Sequence, residues 1–266
     1  MRILALLFSV MAGPVLAHEF WLEPTHYQIA VDGSVEANIV NGQEFEGVPL
    51  AFFPRSIEHF VIVAGDIAQT VESRMGDRPA LNQTPIADGL HIAAYQSTDS
   101  TVTYETWEKF QGFVDHKDFG DVLSRHQERG LPVNDVKEVY SRYSKTLIGV
   151  GSSAGTDRRM GLETELVSLT NPYVDDVSNG MRVQLFYQND VRTNVQVEVF
   201  DKAQNGDVII TYYQTDNTGV AQFPVTAGHS YMVDAVVLRE PNQELTDTTG
   251  AVWETLWANL TFGVPE

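Results

Sequence analysis

Short runs in which apolar and polar side chains alternate recur along most of this chain, and each run ends near a glycine, proline, asparagine or aspartate. Of all the features of the sequence this one restricts the fold most. A period of two gives a strand one buried and one solvated face. Tyr27–Val31 alternates and turns at Asp32-Gly33, and Val35–Val40 alternates and ends at Asn41-Gly42. His59–Val63, Leu90–Tyr95 and Thr101–Tyr104 are further strand candidates. The pattern resumes with Leu162–Leu169, Met181–Tyr187, Val195–Phe200, Val208–Tyr213, Val220–Phe223, Tyr231–Leu238 and Leu256–Phe262. Turn chemistry at Thr215–Gly219 and at Ala227-Gly228-His229 separates some of these runs. Strands at this spacing predict antiparallel sandwiches.

The middle of the chain changes period. Trp107, Phe110, Val114, Phe119, Val122 and Leu123 recur three to five residues apart, and Gly130-Leu131-Pro132 ends that pattern. A second helix is expected from a cap at Asn134 or Asp135, with Val136, Val139, Tyr140, Tyr143 and Leu147 on one face. The expected architecture is therefore mainly β: two antiparallel β-sandwich domains, residues 18–170 and 171–266, with a helical hairpin insertion at about 106–148.

Composition removes several classes of function. With no cysteine, disulfides, thiolate metal sites, iron–sulfur clusters and thiol nucleophiles are excluded. The formal net charge of −19 repels nucleic acid phosphates and anionic lipid, so neither is an expected partner, and it draws in cations. No segment after the start is long and apolar enough for a membrane span.

The start itself reads as an export signal. Met1-Arg2 is positive, Ile3–Ala12 is an apolar run broken only by Ser9, and Val15-Leu16-Ala17 offers a cleavage site after Ala17. The run is too short for a permanent membrane helix. Residues 1–17 are thus a signal peptide, and the expected location is the periplasm. Cleavage would leave His18 at the front of His18-Glu19-Phe20-Trp21-Leu22-Glu23-Pro24. A histidine at a free amino terminus offers a metal its α-amine and an imidazole nitrogen together. The amine titrates at roughly 7.7–8.0 and the imidazole near about 6.5, so both become neutral donors at mildly alkaline pH. Nickel, cobalt and copper suit such nitrogen donors, whereas calcium and magnesium favour oxygen.

One residue does not make a tight site. Position three of the processed chain is Phe20, so the amino-terminal copper and nickel motif with histidine third is absent. His91, in a strand candidate and facing away from Leu90 and Ile92, ranks first as partner, ahead of His26, His59 and His229, with Glu19 or Glu23 as oxygen donors. His116 and His126 are ten residues apart among charged neighbours and read as a solvated face. The zinc-protease His-Glu-x-x-His pattern, the Gly-x-Ser-x-Gly elbow and a phosphate-cradling glycine loop are all missing.

The chain resembles the exported domain-of-unknown-function family 4198. The resemblance lies in Ala17–Pro24, in Asn41–Gly47, in Glu138–Lys145, in Leu162–Pro172 and in the ending Trp253–Phe262. It implies a periplasmic or cell-surface protein linked to nickel or cobalt uptake, similar to accessory extracytoplasmic components of metal importers. In the family Glu138–Lys145 is a helix motif, which makes Tyr140, Arg142, Tyr143 and Lys145 residues that dock a helix on the sandwich. The resulting expectation is a metal-binding protein without enzymatic activity, using His18 and His91 to hold nickel or cobalt (copper as the alternative). Its partner would be a metal transporter or an outer-membrane receptor. Two rivals stay open: a copper-dependent oxidative enzyme built on a histidine brace at His18, to which Trp21 could add a substrate face, and a metal-free interaction module.

Overall fold

The computed structural model describes residues 19–266; the expected signal peptide and His18 lie outside the described residues. The first half holds β1 (Glu19–Pro24), β2 (Gln28–Ile29), β3 (Val35–Gln43), β4 (Glu46–Leu50), β5 (Ile57–Ala64), β6 (Ile67–Thr70), β7 (Leu81–Gln83), β8 (Gly89–Ser97) and β9 (Ser100–Tyr104). Two short helices follow, α1 (Trp107–His116) and α2 (Val122–Glu128), and then the long β10 (Val136–Val150). The second half holds β11 (Thr164–Ser168), β12 (Met181–Tyr187), β13 (Asp190–Val191), β14 (Gln196–Lys202), β15 (Val208–Gln214), β16 (Val220–Phe223) and β17 (Ser230–Arg239). Helix α3 (Gln243–Thr249) and β18 (Trp253–Gly263) complete it. Among the described residues no helix is long and apolar enough to cross a membrane.

The protein is mainly β, as the alternation predicts, and sheets pack face to face. The two halves nevertheless share one sheet. A ten-stranded sheet runs β15-β14-β17-β18-β10-β8-β5-β6, with β2 and β9 also pairing to β10. The join is a parallel ladder between β10 and β18, from Glu138↔Trp253 to Thr146↔Thr261, so the boundary expected near Asn171 does not interrupt the sheet. One face of this sheet carries Leu147, Val197, Val199, Val233, Leu260 and Phe262 against Leu166, Val183, Leu185 and Phe223 of the β11-β12-β13 sheet with β16. On the other face lie the β1-β3-β4 sheet with β7, and the helices α1 and α2. Phe20, Leu22 and Ile39 pack on Phe60, Ile62, Tyr95 and Ile148, while Phe110, Phe113, Val114 and Val122 pack on Val236, Trp253 and Trp257.

The helical insertion is shorter than expected. It breaks at residues 117–121, where Asp118 and Gly120 take left-handed backbone angles, and it ends at Glu128. The second expected helix, across 134–147, is instead the fifteen-residue strand β10. Most of β10 is buried on both faces, so its apolar residues do not alternate cleanly and their spacing imitates a helical stripe. Tyr140 and Tyr143 therefore point to opposite faces of a sheet rather than sharing a helix face.

Candidate functional site

Four sheet registers set one polar row across the covered face of the central sheet: Ser144 lies opposite Asn259, Asn259 opposite Asp234, Asp234 opposite Glu198, and Glu198 opposite Tyr212. Ser144, Asn259, Asp234 and Glu198 are buried. The row occupies the seam between the helices and the small sheet. On the helix side, Trp257 stacks on Phe113 at 5.9 Å. On the other side Ser144 accepts the Leu22 N–H at 3.0 Å and Thr261 donates to the Leu22 carbonyl at 2.6 Å, which pins β1 across the sheet.

Lys117, just past the end of α1, drops its ammonium into this seam, 2.8 Å from Glu198 Oε1 and 3.0 Å from Asp234 Oδ2. Burial alone would lower the Lys117 pKa, but Asp234 and Glu198 outweigh it and hold the ammonium above its ordinary value. Burial pushes Asp234 up against the pull of Lys117. At Glu198 the same burial is overcome by His116 and Lys117, and its carboxyl sits below the usual range. Half-buried His116 directs Nε2 to Glu198 Oε1 at 3.4 Å, with the Tyr212 ring 6.1 Å away.

Glu19, the first described residue, is buried at the edge of this cluster. Burial pushes its carboxyl up to about 7; Lys117 works against that shift, and Asp234 and Glu198 add to it. Its Oε2 accepts the Glu44 N–H at 2.9 Å. That contact anchors an unusual turn. Register Gln43↔Glu46 leaves Glu44 and Phe45 as a two-residue hairpin loop with φ of 55° and 60°. Such a loop favours asparagine and glycine, because other residues resist left-handed angles. Here buried Phe45 packs edge-on against Trp21 at 5.4 Å, and Lys202 donates to the Phe45 carbonyl at 3.1 Å, so tertiary contacts hold the strained pair. Gly47 is needed beneath Trp21, since a Cβ there would lie 2.8 Å from the indole.

Trp257 is the floor of the site. The Arg142 guanidinium lies 4.2 Å from its ring centroid and the Lys117 ammonium 4.7 Å. A relay fixes the indole: Trp257 Nε1 donates to Thr255 Oγ1 at 2.9 Å, and Thr255 donates to Glu138 Oε1. Tyr104 donates to Glu138 Oε2 at 3.0 Å. Arg142 also lies 4.8 Å from the Tyr140 ring centroid. Beside it opens a cavity of about 220 Å³, lined by Phe20, Asn41, Tyr95, Ser97, Tyr140 and Arg142 among others.

His91 does not join this cluster. It is fully buried in β8; Nε2 accepts the Ile86 N–H at 3.0 Å and Nδ1 bonds the Gly89 carbonyl at 3.2 Å. A backbone N–H can only donate, so Nε2 carries the lone pair and Nδ1 the proton. Both nitrogens are then spent on backbone, and burial depresses the pKa of the ring. Its expected role as second metal ligand is corrected to a structural one. His26 and His59 are exposed, and His229 is paired with Asp201 at 2.6 Å. His126 is not solvated: it accepts Trp253 Nε1 at 3.0 Å and bonds the Pro132 carbonyl at 3.0 Å. Lys145 is equally structural, its ammonium enclosed by Asp157 at 2.8 Å, Glu165 at 3.1 Å and the carbonyls of Arg158 and Leu166.

The candidate cluster is thus Glu19, His116, Lys117, Arg142, Glu198, Asp234 and Trp257, of which the sequence singles out Glu19 and Arg142 for possible roles. Polar residues at inward positions of the strands β14 and β17 are the signal that could have found Glu198 and Asp234. Among the described residues no three histidine, aspartate or glutamate side chains are grouped closely enough to hold a metal ion by themselves. Chemically the cluster is a buried set of carboxylates, one imidazole and two cations beside the strand that follows His18.

A mainly β protein that buries a row of charged side chains beneath its first strand is the class that fold and site define. The family model described as "Domain of unknown function (DUF4198)" matches residues 15–239, and the chain belongs to that family. A search of curated proteins found no match.

Proposed function

We propose that this protein is a periplasmic, signal-peptide-exported binder of one first-row transition-metal ion, nickel or cobalt, that serves as an accessory in metal uptake. The observation that carries the reading is where β1 begins. The residue after His18 enters a seam holding the carboxylates of Glu19, Glu198 and Asp234 and the imidazole of His116. Lys117 and Arg142 offset part of that negative charge, so an arriving ion finds a partly balanced acidic site rather than an open trap. The described donors are incomplete alone, and the amine and imidazole of a processed His18 would supply nitrogens of the type these metals prefer. No reaction is needed: the ion is cargo, captured and passed to a transporter or an outer-membrane receptor.

The test is titration of protein purified from the periplasm, its first residue fixed by mass spectrometry. Nickel or cobalt should bind at about one site, and retaining one extra residue ahead of His18 should abolish it. Unchanged affinity in that extended form would defeat the proposal.

A copper-dependent oxidative reading has one specific support: His116 is backed by Glu198 and flanked by half-exposed Tyr212. A carboxylate on Nε2 leaves Nδ1 as the donor, the usual arrangement behind a metal-bound histidine. Peroxide- or oxygen-dependent oxidation by copper-loaded protein would favour it over simple transport.

A further inference from the structure

We propose that the outer edge of β15 docks an extended segment of another protein as an added antiparallel strand, and that this segment is uncharged at its centre and basic at both ends.

Strand β15 closes one end of the ten-stranded sheet, and among the described residues no strand pairs with its outer side. Its backbone phase follows from the hairpin it forms with β14. The Ala203 N–H donates to the Asp207 carbonyl at 2.9 Å and the Thr215 N–H to the Val195 carbonyl at 3.0 Å, with an unbroken register between them. Antiparallel pairs alternate between bonded and non-bonded, so Ile209, Thr211 and Tyr213 spend their backbone groups on β14. Those of Val208, Ile210, Tyr212 and Gln214 point away from the sheet.

Edges of this kind are ordinarily guarded by charge, by proline or by shortness. The far edge of the same sheet, β6, is four residues long, and the edge strand β4 carries Glu46 and Pro49. Strand β15 has none of these guards. Its seven residues are β-branched or aromatic except Gln214, and none is buried; Ile209 is 66% exposed and Tyr212 49%. Such an edge offers an incoming strand main-chain hydrogen bonds for affinity and alternate side chains for fit.

Charge selects the occupant, because exposed acids bracket the edge. At its start a cleft of about 480 Å³ is lined by Glu44, Glu46, Asp207 and Val208 among others, and at its end Gln214 donates to Asp118 Oδ2 at 3.4 Å. A second copy paired antiparallel would set the acids at the start of one strand against Asp118 beside the other, like against like. A segment with lysine or arginine at both ends meets opposite charge at each. The Tyr212 ring is 6.1 Å from that of His116, so the docked segment lies beside the candidate cluster.

Titration of metal-free processed protein with a synthetic peptide, a valine–threonine repeat carrying two lysines at each end, tests the proposal. Amide exchange followed by NMR should slow about tenfold or more at Val208, Ile210, Tyr212 and Gln214 on saturation. Affinity should fall about tenfold as ionic strength rises from about 50 to about 300 mM, and also when glutamates replace the peptide's lysines. The peptide methylated on its central backbone nitrogens should not bind. Nor should it bind Ile210→Pro, which loses an outward N–H but keeps the ladder to β14, with circular dichroism checking the fold. Equal binding by the methylated peptide overturns strand addition, and equal binding by the glutamate peptide overturns the charge assignment. Sedimentation of the protein alone as a dimer, with the same four amides protected, replaces the foreign segment by a second copy. No binding by the lysine peptide overturns the proposal outright. Metal is absent throughout, so each of these outcomes leaves the metal-binding reading where it stands.

Discussion

Two buried side chains make opposite kinds of test at the level of single residues. His91 is wired to backbone through both nitrogens, so its removal should be felt in stability and not in metal binding. His91→Leu strands the Ile86 N–H and should cost about 1–3 kcal/mol in urea denaturation, with nickel stoichiometry unchanged. Glu138 makes the pH test. Burial pushes its carboxyl up to about 7 against the hydrogen bonds of Thr255 and Tyr104 and the charge of Arg142, from 4.5 in the unfolded chain. A folded-state pKa raised in this way stabilises the protein fully below about 4.5, and that stability is lost as the pH rises through about 7. Glu138→Gln should therefore flatten the fall in unfolding free energy between pH 5 and pH 8, by on the order of 2–3 kcal/mol. Glu19, raised to the same value, leaves a residual slope in that window. A variant whose slope matches the wild type would show that Glu138 does not titrate there.

At the level of elements, the hairpin between β3 and β4 stores strain that can be relieved without touching its anchors. Glu44→Asn keeps the backbone N–H that bonds Glu19 and replaces a residue that resists a φ of 55° with one that tolerates it. The melting temperature should rise, corresponding to roughly 1 kcal/mol, and a fall would mean that the Glu44 side chain is needed in the cluster. Elements also differ in how much of them the sequence discloses. A strand with one solvated face, such as β12, is visible as alternation, and its limits match closely. Strand β10 is not, because burial on both faces erases the period, and its polar residues Arg142, Ser144, Lys145 and Thr146 imitate a helix's wet side while being buried. Strand β4 is exposed throughout and has no apolar stripe to betray it. The site was half legible for the same reason. Glu19 sits beside the conspicuous His18, but Glu198 and Asp234 meet only through strand register, and Lys117 reaches them only because α1 packs on the sheet.

For the molecule as a whole, the shared sheet predicts one folding unit where the sequence suggests two. Full-length protein should lose secondary structure and aromatic packing in coincident thermal transitions. Residues 18–170 alone should not fold, since β10 would forfeit its ladder to β18, and a cooperative melt from that fragment would refute the unit. There is a consequence for the order in which the chain is delivered. Strand β18 comes after every other strand along the polypeptide yet lies in the interior of the central sheet, between β17 and β10. A polypeptide that emerges amino terminus first can form hairpins early, but the two halves stay unjoined until Trp253 onward is present. Arrival of β18, rather than of the amino terminus, closes the sheet that carries Asn259 between Ser144 and Asp234, so a partly emerged chain would leave its buried carboxylates and the Lys117 ammonium open to solvent.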